Sequence, residues 1–247
     1  MTGTWEEHGY MVVRGFAGPE VCQAMLERVV EISRRDAERD RVGDALVLPE
    51  ARALPGASAD RPEQQVSKVF RLHRDTVFAD FAHDDRVLDI VCDLAGPQVD
   101  VFLSQFIFKN PGAYGQPWHQ DSYYFPFEPD HQVGVWLAVT EATLANGCLW
   151  VLPGSHRERV HEHVPDRRPD SQYGYVEIVD HDMSGAVPVL MDPGDLLLFD
   201  SHLMHRSTDN DSDGIRAAMV YHYSPAGTVD RTPPGRGVVN DWVPARR

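Results

Sequence analysis

From Pro97 onward the texture of the sequence changes, and this change constrains the fold more than any other feature. Short segments rich in Val, Phe, Tyr, Trp and Leu recur at 99–109, 133–140, 148–152, 187–191, 196–200 and 215–223. Tight turns between them are marked by Asn146-Gly147, Pro153-Gly154 and Pro193-Gly194. Short strands with frequent turns are typical of an antiparallel barrel or sandwich. The pattern therefore predicts a mainly β fold with helices packed outside it.

The part before Pro97 has mostly helical spacing. Apolar residues recur at helical intervals from Pro19 to about residue 40, and again at 84–95, where Gly96-Pro97 ends the second helix. A short strand is expected at Met11–Phe16. Between the helices, residues 41–64 are rich in Pro, Gly and Ala and predict a long loop, which is a common place for function or mobility.

No internal repeat or linker divides the chain. We therefore expect residues 1–247 to form a single domain, in which a helical part, 1–97, packs on a β core, 98–225, followed by a tail, 226–247. This division follows the change of texture at Pro97 and the irregular composition after the last strand.

The charge balance limits the classes of partner. The chain has 23 basic and 38 acidic residues, a formal net charge of −15, so we expect it to repel nucleic acid and anionic membrane surfaces. Its three cysteines, Cys22, Cys92 and Cys148, have no metal-site or redox spacing. The first residues contain no apolar signal-peptide core, and no segment approaches a membrane span of about 20 apolar residues. We expect a cytoplasmic protein with a small-molecule partner. The sequence leaves the oligomeric state open.

The segment WHQDSYYFPFEPDHQ contains His119 and Asp121, two positions apart. In an extended chain, residues i and i+2 project to the same side, so an imidazole and a carboxylate could bind one divalent metal together. The best candidate for a third ligand is His205, directly after the β segment 196–200. Two histidines and one carboxylate on one side of a metal form the facial triad of non-haem Fe(II) oxygenases.

A triad of this kind also needs a site for a co-substrate. Arg216 follows His205 by eleven positions on a predicted strand, and its fork of N–H groups can hold a carboxylate through two parallel hydrogen bonds. Ser207 lies two residues after His205, on the same side of the chain, and could donate to that carboxylate. The residues favour a pocket for a small dicarboxylate.

These segments resemble the phytanoyl-CoA dioxygenase (PhyH) family of Fe(II)/2-oxoglutarate-dependent oxygenases. The resemblance begins at EEHGYMVVRGF and is densest in FIFKNPG, WHQDSYYFPFEP, GVWLAVTEATLANGCLWVLPGSH and PGDLLLFDSHLMHRSTDN. It implies a double-stranded β-helix, the jelly roll of cupin-like proteins. It also implies Fe(II) as the metal, 2-oxoglutarate as the co-substrate and O₂ as the oxidant.

The resemblance assigns roles residue by residue. It implies that His119, Asp121 and His205 bind iron and that 2-oxoglutarate chelates the iron and reaches Arg216 and Ser207. Further co-substrate contacts in the family match Lys68 in SKVFRLHRD, Gln105 in LSQFIFK and Trp136 in GVWLAV. The family residue most like Gln105 is often a methionine, and the loop from His119 to Trp136 is one residue shorter than in the acyl-CoA member.

The activity implied is hydroxylation of an unactivated C–H bond, with decarboxylation of 2-oxoglutarate to succinate and CO₂. The substrate is expected to be a metabolite or a natural-product intermediate. The alternatives are an acyl-CoA 2-hydroxylase of the phytanoyl-CoA type, a non-catalytic protein that binds 2-oxoglutarate or metal, and a metal cupin, which has no need of Arg216. Asp121 argues against a halogenase. Desaturation, ring formation and epimerisation use the same triad and stay open.

Other residues near these motifs have simpler interpretations. His161 and His163 resemble a metal pair but have no third ligand close in sequence, so a loop role is expected. His222 is expected to be a packed histidine. Of Tyr123 and Tyr124, at most one should face the iron. Either the tail or the 41–64 loop is expected to cover the site as a lid.

Overall fold

The computed structural model describes residues 5–168, 174–233 and 239–247. Its α-helices are α1 Trp5–His8, α2 Pro19–Ala37, α3 Thr76–Ala82 and α4 Asp85–Ala95. Its strands are β1 Tyr10–Val13, β2 Leu46–Pro49, β3 Val66–Phe70, β4 Val99–Lys109, β5 Phe127–Glu128, β6 Val133–Ala138, β7 Leu149–Val151, β8 His163–Pro165, β9 Val176–Ile178, β10 Val187–Val189, β11 Leu196–Asp200, β12 His205–Ser207, β13 Arg216–Pro225, β14 Val229–Asp230 and β15 Val243–Arg246.

Two antiparallel sheets form the body of the molecule. The larger has eight strands in the order β1-β11-β6-β13-β4-β3-β2, with β15 also paired to β4. The smaller has the order β10-β7-β12. Two further antiparallel pairs are β14 with β5, which are distant in the chain, and β8 with β9, which form a hairpin. Mainly β architecture, predicted from the segments after Pro97, is confirmed, and two facing sheets are the arrangement of a double-stranded β-helix.

Strand residues alternate between two apolar layers, as the period of two requires. On β11, Leu196 and Leu198 pack toward the helices, whereas Leu197 and Phe199 pack toward the smaller sheet. Strand β13 alternates in the same way. Its inner positions 216, 218, 220 and 222 carry Arg216, Ala218, Val220 and His222. The two polar residues at the ends of this series, Arg216 and His222, are both buried. The alternation therefore places two polar side chains inside the molecule.

The helices cover the outer face of the larger sheet. Helix α2 begins with Pro19, and α4 is capped by the side chain of Asp84, which accepts a hydrogen bond from the backbone N–H of Arg86. Buried α4 residues Val87, Leu88 and Val91 join the same apolar layer as the strands beneath them. Among the described residues, no helix combines the length and apolar character that crossing a bilayer requires.

Within the predicted loop 41–64, the structure places β2, so the expectation of a loop throughout was wrong there. Strand β2 forms the edge of the larger sheet and pairs with β3, a strand that the sequence does not reveal. These two strands and β1 all belong to the larger sheet. The N-terminal part therefore contributes strands to this sheet in addition to the helices that cover it. Pairing to an existing sheet edge stabilises short strands that have weak patterns of their own, which explains the miss.

Candidate metal centre and adjoining cavity

Three buried side chains meet between the sheets, as the spacing of the sequence predicts. His119 and His205 form an isolated bridge, in which each backbone N–H donates to the other residue's carbonyl at 2.9 and 3.0 Å. Asp121 does not continue an extended strand but begins a 3-10 turn, Asp121–Tyr123. Its Oδ1 still lies 3.5 Å from Nε2 of His119 and 3.8 Å from Nε2 of His205. The three ligand atoms lie within 4.8 Å of one another.

Backbone contacts fix the tautomer of both imidazoles. Nδ1 of His119 donates to the carbonyl of Pro117 at 2.8 Å, and Nδ1 of His205 donates to the carbonyl of Leu203 at 2.9 Å. Each Nε2 therefore presents a lone pair, and Gln116 donates its amide to the one on His119 at 2.9 Å. Burial lowers the pKa of His205 to about 4, so this imidazole is neutral at pH 7. Neutral nitrogens and a carboxylate oxygen are the donors that a divalent transition metal takes.

The second oxygen of Asp121 has its own partner. Nε2 of His222, on β13, donates to Oδ2 of Asp121 at 2.8 Å, which leaves Oδ1 directed toward the two imidazoles. Burial alone would raise the pKa of Asp121, but the surrounding imidazoles, first that of His205 and then those of His119 and His222, hold it well below its usual range. His222 is buried, as expected of a packed histidine, but it also orients the carboxylate. The even spacing from Arg216 on one strand was a signal for this role.

Arg216 lies at the other end of the inner face of β13. It is fully buried, and Nη2 donates to the carbonyl of Gly147 at 3.2 Å, while Nε and Nη1 have no hydrogen-bond partner among the residues that the structure describes. Gly147 has a φ of +83°, and a Cβ there would lie 2.4 Å from the carbonyl oxygen of Thr208, so only glycine fits. Burial lowers the pKa of Arg216 to about 10, which leaves it charged at pH 7. Buried N–H groups without partners are rare, so these two donors fit an anionic ligand.

Ser207 lies beside this cationic end of the cavity. Its Oγ accepts hydrogen bonds from Nζ of Lys109 at 2.8 Å and from the backbone N–H of Gln116 at 3.0 Å. The hydroxyl proton of Ser207 is therefore free to donate into the cavity, in keeping with the predicted role. Lys109 was not identified from the sequence. It is the register partner of Arg216 on the neighbouring strand β4.

Lys68, Gln105 and Trp136 all line the same cavity as Arg216 and the three converging residues. Lys68 lies on β3 with its Nζ 5.0 Å from the ring centre of Tyr175, and burial lowers its pKa to about 8. The indole N–H of Trp136 is buried and has no hydrogen-bond acceptor within the described ranges. All five residues with predicted co-substrate roles are thus brought to one space, although the structure does not test those roles.

The cavity has a volume of about 380 Å³ and two chemically different ends. Cationic and polar groups occupy the end near Arg216. Other walls are apolar or aromatic and come from β2, β3, the residues after the 3-10 turn and the tail: Leu46, Leu48, Phe70, Tyr124, Phe125 and Val239. Such walls with a few placed polar groups are typical of a small-molecule site.

The aromatic residues after Asp121 separate as expected. Tyr124 lines the cavity, whereas Tyr123 is 41% exposed and stacks on His163 with ring centres 4.2 Å apart. Both segments proposed as a lid, 41–64 and the tail, contribute wall residues, and so does Tyr175 from the hairpin of β8 and β9. Whether any of them opens stays a prediction.

Gln120, between two of the converging residues, was missed by the sequence analysis. It is fully buried, and its side chain binds the backbone of two loops, donating to the carbonyl of His202 at 2.8 Å and accepting from the N–H of His161 at 2.8 Å. Its own N–H donates to Nε2 of His163 at 3.1 Å. His161 and His163 therefore do not form one metal pair. His163 supports the metal-centre segment by accepting this hydrogen bond from its backbone. The ring of His161 points to a different set of side chains, outside that segment.

Comparison with known proteins identifies a family for the chain. The model of the phytanoyl-CoA dioxygenase (PhyH) family matches residues 5–218. The chain is similar to phytanoyl-CoA dioxygenase domain-containing protein 1 of Rattus norvegicus, with 36% identity over 265 residues that cover 91% of this chain and 89% of the rat protein.

Two solved structures share the fold. The apo form of the non-haem monooxygenase ThoJ has a TM-score of 0.73 and 20% identity, covering 98% of this chain and 82% of that one. The epimerase SnoN, in complex with Fe³⁺, α-ketoglutarate and nogalamycin RO, has a TM-score of 0.68 and 18% identity, covering 98% and 92%. The double-stranded β-helix expected from the sequence is therefore confirmed.

Proposed function

The chain belongs to the phytanoyl-CoA dioxygenase family of Fe(II)/2-oxoglutarate-dependent oxygenases, and from this premise we propose which residues serve the reaction. His119, Asp121 and His205 hold Fe(II), and Arg216 and Ser207 bind 2-oxoglutarate. One observation carries the proposal. Two imidazole lone pairs and a carboxylate oxygen converge in one cavity. The same cavity contains a buried guanidinium of which two nitrogens have no hydrogen-bond partner in the described part of the chain.

Bound iron, 2-oxoglutarate and O₂ supply the oxidising power for C–H hydroxylation, with release of succinate and CO₂. The protein's part is to position the reactants and to limit the access of water. Asp121 keeps one oxygen available because His222 occupies the other. Gln116 can turn its amide away from His119 when a metal takes that nitrogen, since its side chain is only partly buried.

The cationic end of the cavity suits the distal carboxylate of 2-oxoglutarate. The guanidinium of Arg216, with Nε and Nη1 unpartnered among the described residues, can donate charge-assisted hydrogen bonds to it, and the hydroxyl of Ser207 can add another. The indole N–H of Trp136 can donate from the same wall. Lys68 and Gln105 complete the proposed co-substrate set from β3 and β4.

The apolar end of the cavity supports a small organic substrate, either a metabolite or a natural-product intermediate. Leu46, Leu48 and Phe125 offer contact area without charge, so they can hold an aliphatic or ring-containing body beside the metal. SnoN, an epimerase from nogalamycin biosynthesis, shares the fold and was solved with nogalamycin RO bound, which supports a natural-product intermediate as the substrate class. We propose hydroxylation as the outcome.

One observation favours an acyl-CoA thioester as a second candidate. Tyr114 lines the cavity, and two arginines flank its ring: Arg52 with its guanidinium carbon 3.7 Å from the ring centre and Arg168 at 4.9 Å. Arginines beside a cavity can bind the phosphates of a nucleotide carrier. Arg168 already pairs with Asp166 and Asp209, which leaves Arg52 as the main candidate for such a contact.

The assignment is tested by anaerobic titration with Fe(II) and 2-oxoglutarate, monitoring the weak visible charge-transfer band of the chelated complex. The band should appear with wild-type protein, disappear in His119→Ala and weaken in Arg216→Ala. Succinate release, screened over small metabolites and acyl-CoA thioesters, then identifies the substrate class. If folded wild-type protein with saturating iron shows no band, the proposal is refuted.

We also propose that residues 1–247 act as one catalytic domain, with the predicted parts 1–97, 98–225 and 226–247. Its support is that the larger sheet takes strands from all three parts. The three cysteines are unpaired, which supports a reducing compartment such as the cytoplasm. Separate expression of residues 98–225 should give insoluble or unfolded protein, because β3 and β15 would be missing from the edges of β4.

A further inference from the structure

A second group of metal-ligating side chains lies outside the cavity. Oε2 of Glu158 is 2.8 Å from Nε2 of His161 and 3.1 Å from Nε2 of His181. The three ligand atoms lie within 4.8 Å of one another, and the two imidazole rings are nearly perpendicular, at 84°. We call this group the outer cluster. It comprises Glu158, His161 and His181.

The outer faces of both imidazoles have the contacts expected of metal ligands. Nδ1 of His181 donates to the carbonyl of Asp182 at 3.0 Å, which leaves a lone pair on the Nε2 that faces Glu158. Nδ1 of His161 is buried without a hydrogen-bond partner, and Oδ1 of Asp180 lies 3.8 Å from it. A histidine ligand usually donates its second N–H to a carbonyl or a carboxylate, so Asp182 and Asp180 are placed to orient the two rings.

The outer cluster lies at the base of the β8–β9 hairpin. Glu158 and His161 precede β8, and His181 follows β9, so the cluster joins the two chain segments where they enter and leave the hairpin. Farther along the hairpin, Tyr175 contributes to the wall of the main cavity. The backbone N–H of His161 also donates to the side chain of Gln120, between two of the proposed iron ligands. A fastening at this base would therefore hold the hairpin over the cavity.

We propose that the outer cluster is a second metal site, selective for a divalent ion such as zinc, which fastens the base of this hairpin. Oε2 of Glu158 lies at hydrogen-bond distance from both Nε2 atoms, so either protons or a metal cation must stand between the carboxylate and the two imidazoles. Two imidazoles and one carboxylate are a ligand set that Zn²⁺ accepts, and a water molecule can complete a tetrahedron because Glu158 is 41% exposed.

The distances require only small adjustments. Ligand atoms about 2.1 Å from a zinc ion in a tetrahedron lie roughly 3.4 Å apart. The two contacts of Glu158, at 2.8 and 3.1 Å, would open by a few tenths of an ångström. The exposed carboxylate can supply this movement without disturbing the backbone. The ion would be structural, because neither the cavity nor a co-substrate anchor adjoins it.

The test is a count of bound Zn(II) per chain by atomic emission after loading and buffer exchange, with Zn(II) as the only added ligand. His181→Gln should bind about one zinc fewer than wild type, and Glu158→Gln should show the same loss as a second variant. The matched control is Glu162→Gln, which alters an exposed carboxylate next to the cluster and should leave the count unchanged. Circular dichroism confirms that each variant is folded.

A second readout links the site to the hairpin. Zinc should raise the melting temperature of wild type by several degrees more than that of His181→Gln. The inference is overturned if His181→Gln and Glu158→Gln bind as much zinc as wild type, since the cluster would then be an ion-pair network that holds only protons. Failure of the proposed iron site would instead remove one ion from every variant equally, so the two failures are distinguishable.

Discussion

The metal centre in the cavity and the outer cluster use the same three ligand types in different surroundings. In the cavity, the side chains of His119, Asp121 and His205 are 5%, 10% and 8% exposed. In the outer cluster, His161 and His181 are 12% and 20% exposed, and Glu158 is 41% exposed. The inner ligands are joined by paired backbone hydrogen bonds between the sheets, whereas the outer ligands lie on loops.

The difference teaches that ligand identity alone does not define a redox centre. The inner triad shares its cavity with Arg216 and Ser207, so a co-substrate can reach the metal there. Among the described residues that line this cavity, none belongs to the outer cluster, so a metal there would organise the chain away from the co-substrate site. Burial also strengthens the inner electrostatics, because fewer water molecules screen the charges.

The largest contrast between the two groups is expected for removal of one histidine from each. His205→Ala should lower 2-oxoglutarate turnover by more than about 100-fold, beyond the range for residues that only support a ligand. His181→Gln should change turnover by less than about twofold, since the outer cluster touches no reactant. Succinate release under saturating iron measures both. Equal losses in the two variants would show that the outer cluster takes part in catalysis.

The next effect concerns the co-substrate anchor that only the inner centre has. Arg216→Ala should raise the Kd of 2-oxoglutarate roughly 100-fold, since about 3 kcal/mol of charge-assisted hydrogen bonding is lost. Arg216→Lys keeps the charge but loses the fork, so an intermediate Kd is expected. Anaerobic titration of the charge-transfer band gives both values. An unchanged Kd in Arg216→Ala would place the distal carboxylate elsewhere, with Lys68 and Lys109 as alternatives among the residues that line the cavity.

The two groups also differ in how far the sequence predicts them. His119, Asp121, His205 and Arg216 follow from a two-residue spacing and from their positions beside or on predicted strands, and the structure brings them to one cavity. The outer cluster joins residues 23 positions apart across a hairpin. The path of such a loop depends on tertiary contacts, and the sequence near His161 offers no third ligand. Lys68 is an intermediate case, because its strand becomes visible only through pairing with β4.

His202 adds a third case to the comparison. Its imidazole lies between carboxylates and holds a proton rather than a metal. Hydrogen bonds from its ring to Asp130 and Asp200 raise its pKa from 6.5 to about 9. A raised folded-state pKa contributes stability that is fully present below about pH 6.5 and is lost as the pH rises through about 9. After allowance for screening at the half-exposed Asp130, the contribution is about 2 kcal/mol.

This prediction is measured by urea unfolding of wild type and His202→Gln between pH 6 and pH 10. The difference in free energy of unfolding should shrink with rising pH. His83→Gln is the control, because its ring contacts two backbone carbonyls and no carboxylate that the structure describes. A difference that stays constant over the whole range would mean that His202 is not charged in the folded protein.

The smallest effect separates the inner ligands from the residue that orients them. His222→Leu removes the donor to Oδ2 of Asp121 and should weaken Fe(II) binding about tenfold, the lower end for partners that support a metal ligand. His222→Gln can place its amide N–H near the position of Nε2 and should restore most of the affinity. The Kd of 2-oxoglutarate at saturating iron should change less than about twofold in both variants, because Arg216 is untouched.

A purely structural role of His222 would instead weaken the binding of both Fe(II) and 2-oxoglutarate, and it would leave the glutamine variant as impaired as the leucine variant. Retention of full iron affinity in His222→Leu would show that the backbone turn at Asp121 orients the carboxylate without help from His222. The exposed Glu158 of the outer cluster would then be the comparable case.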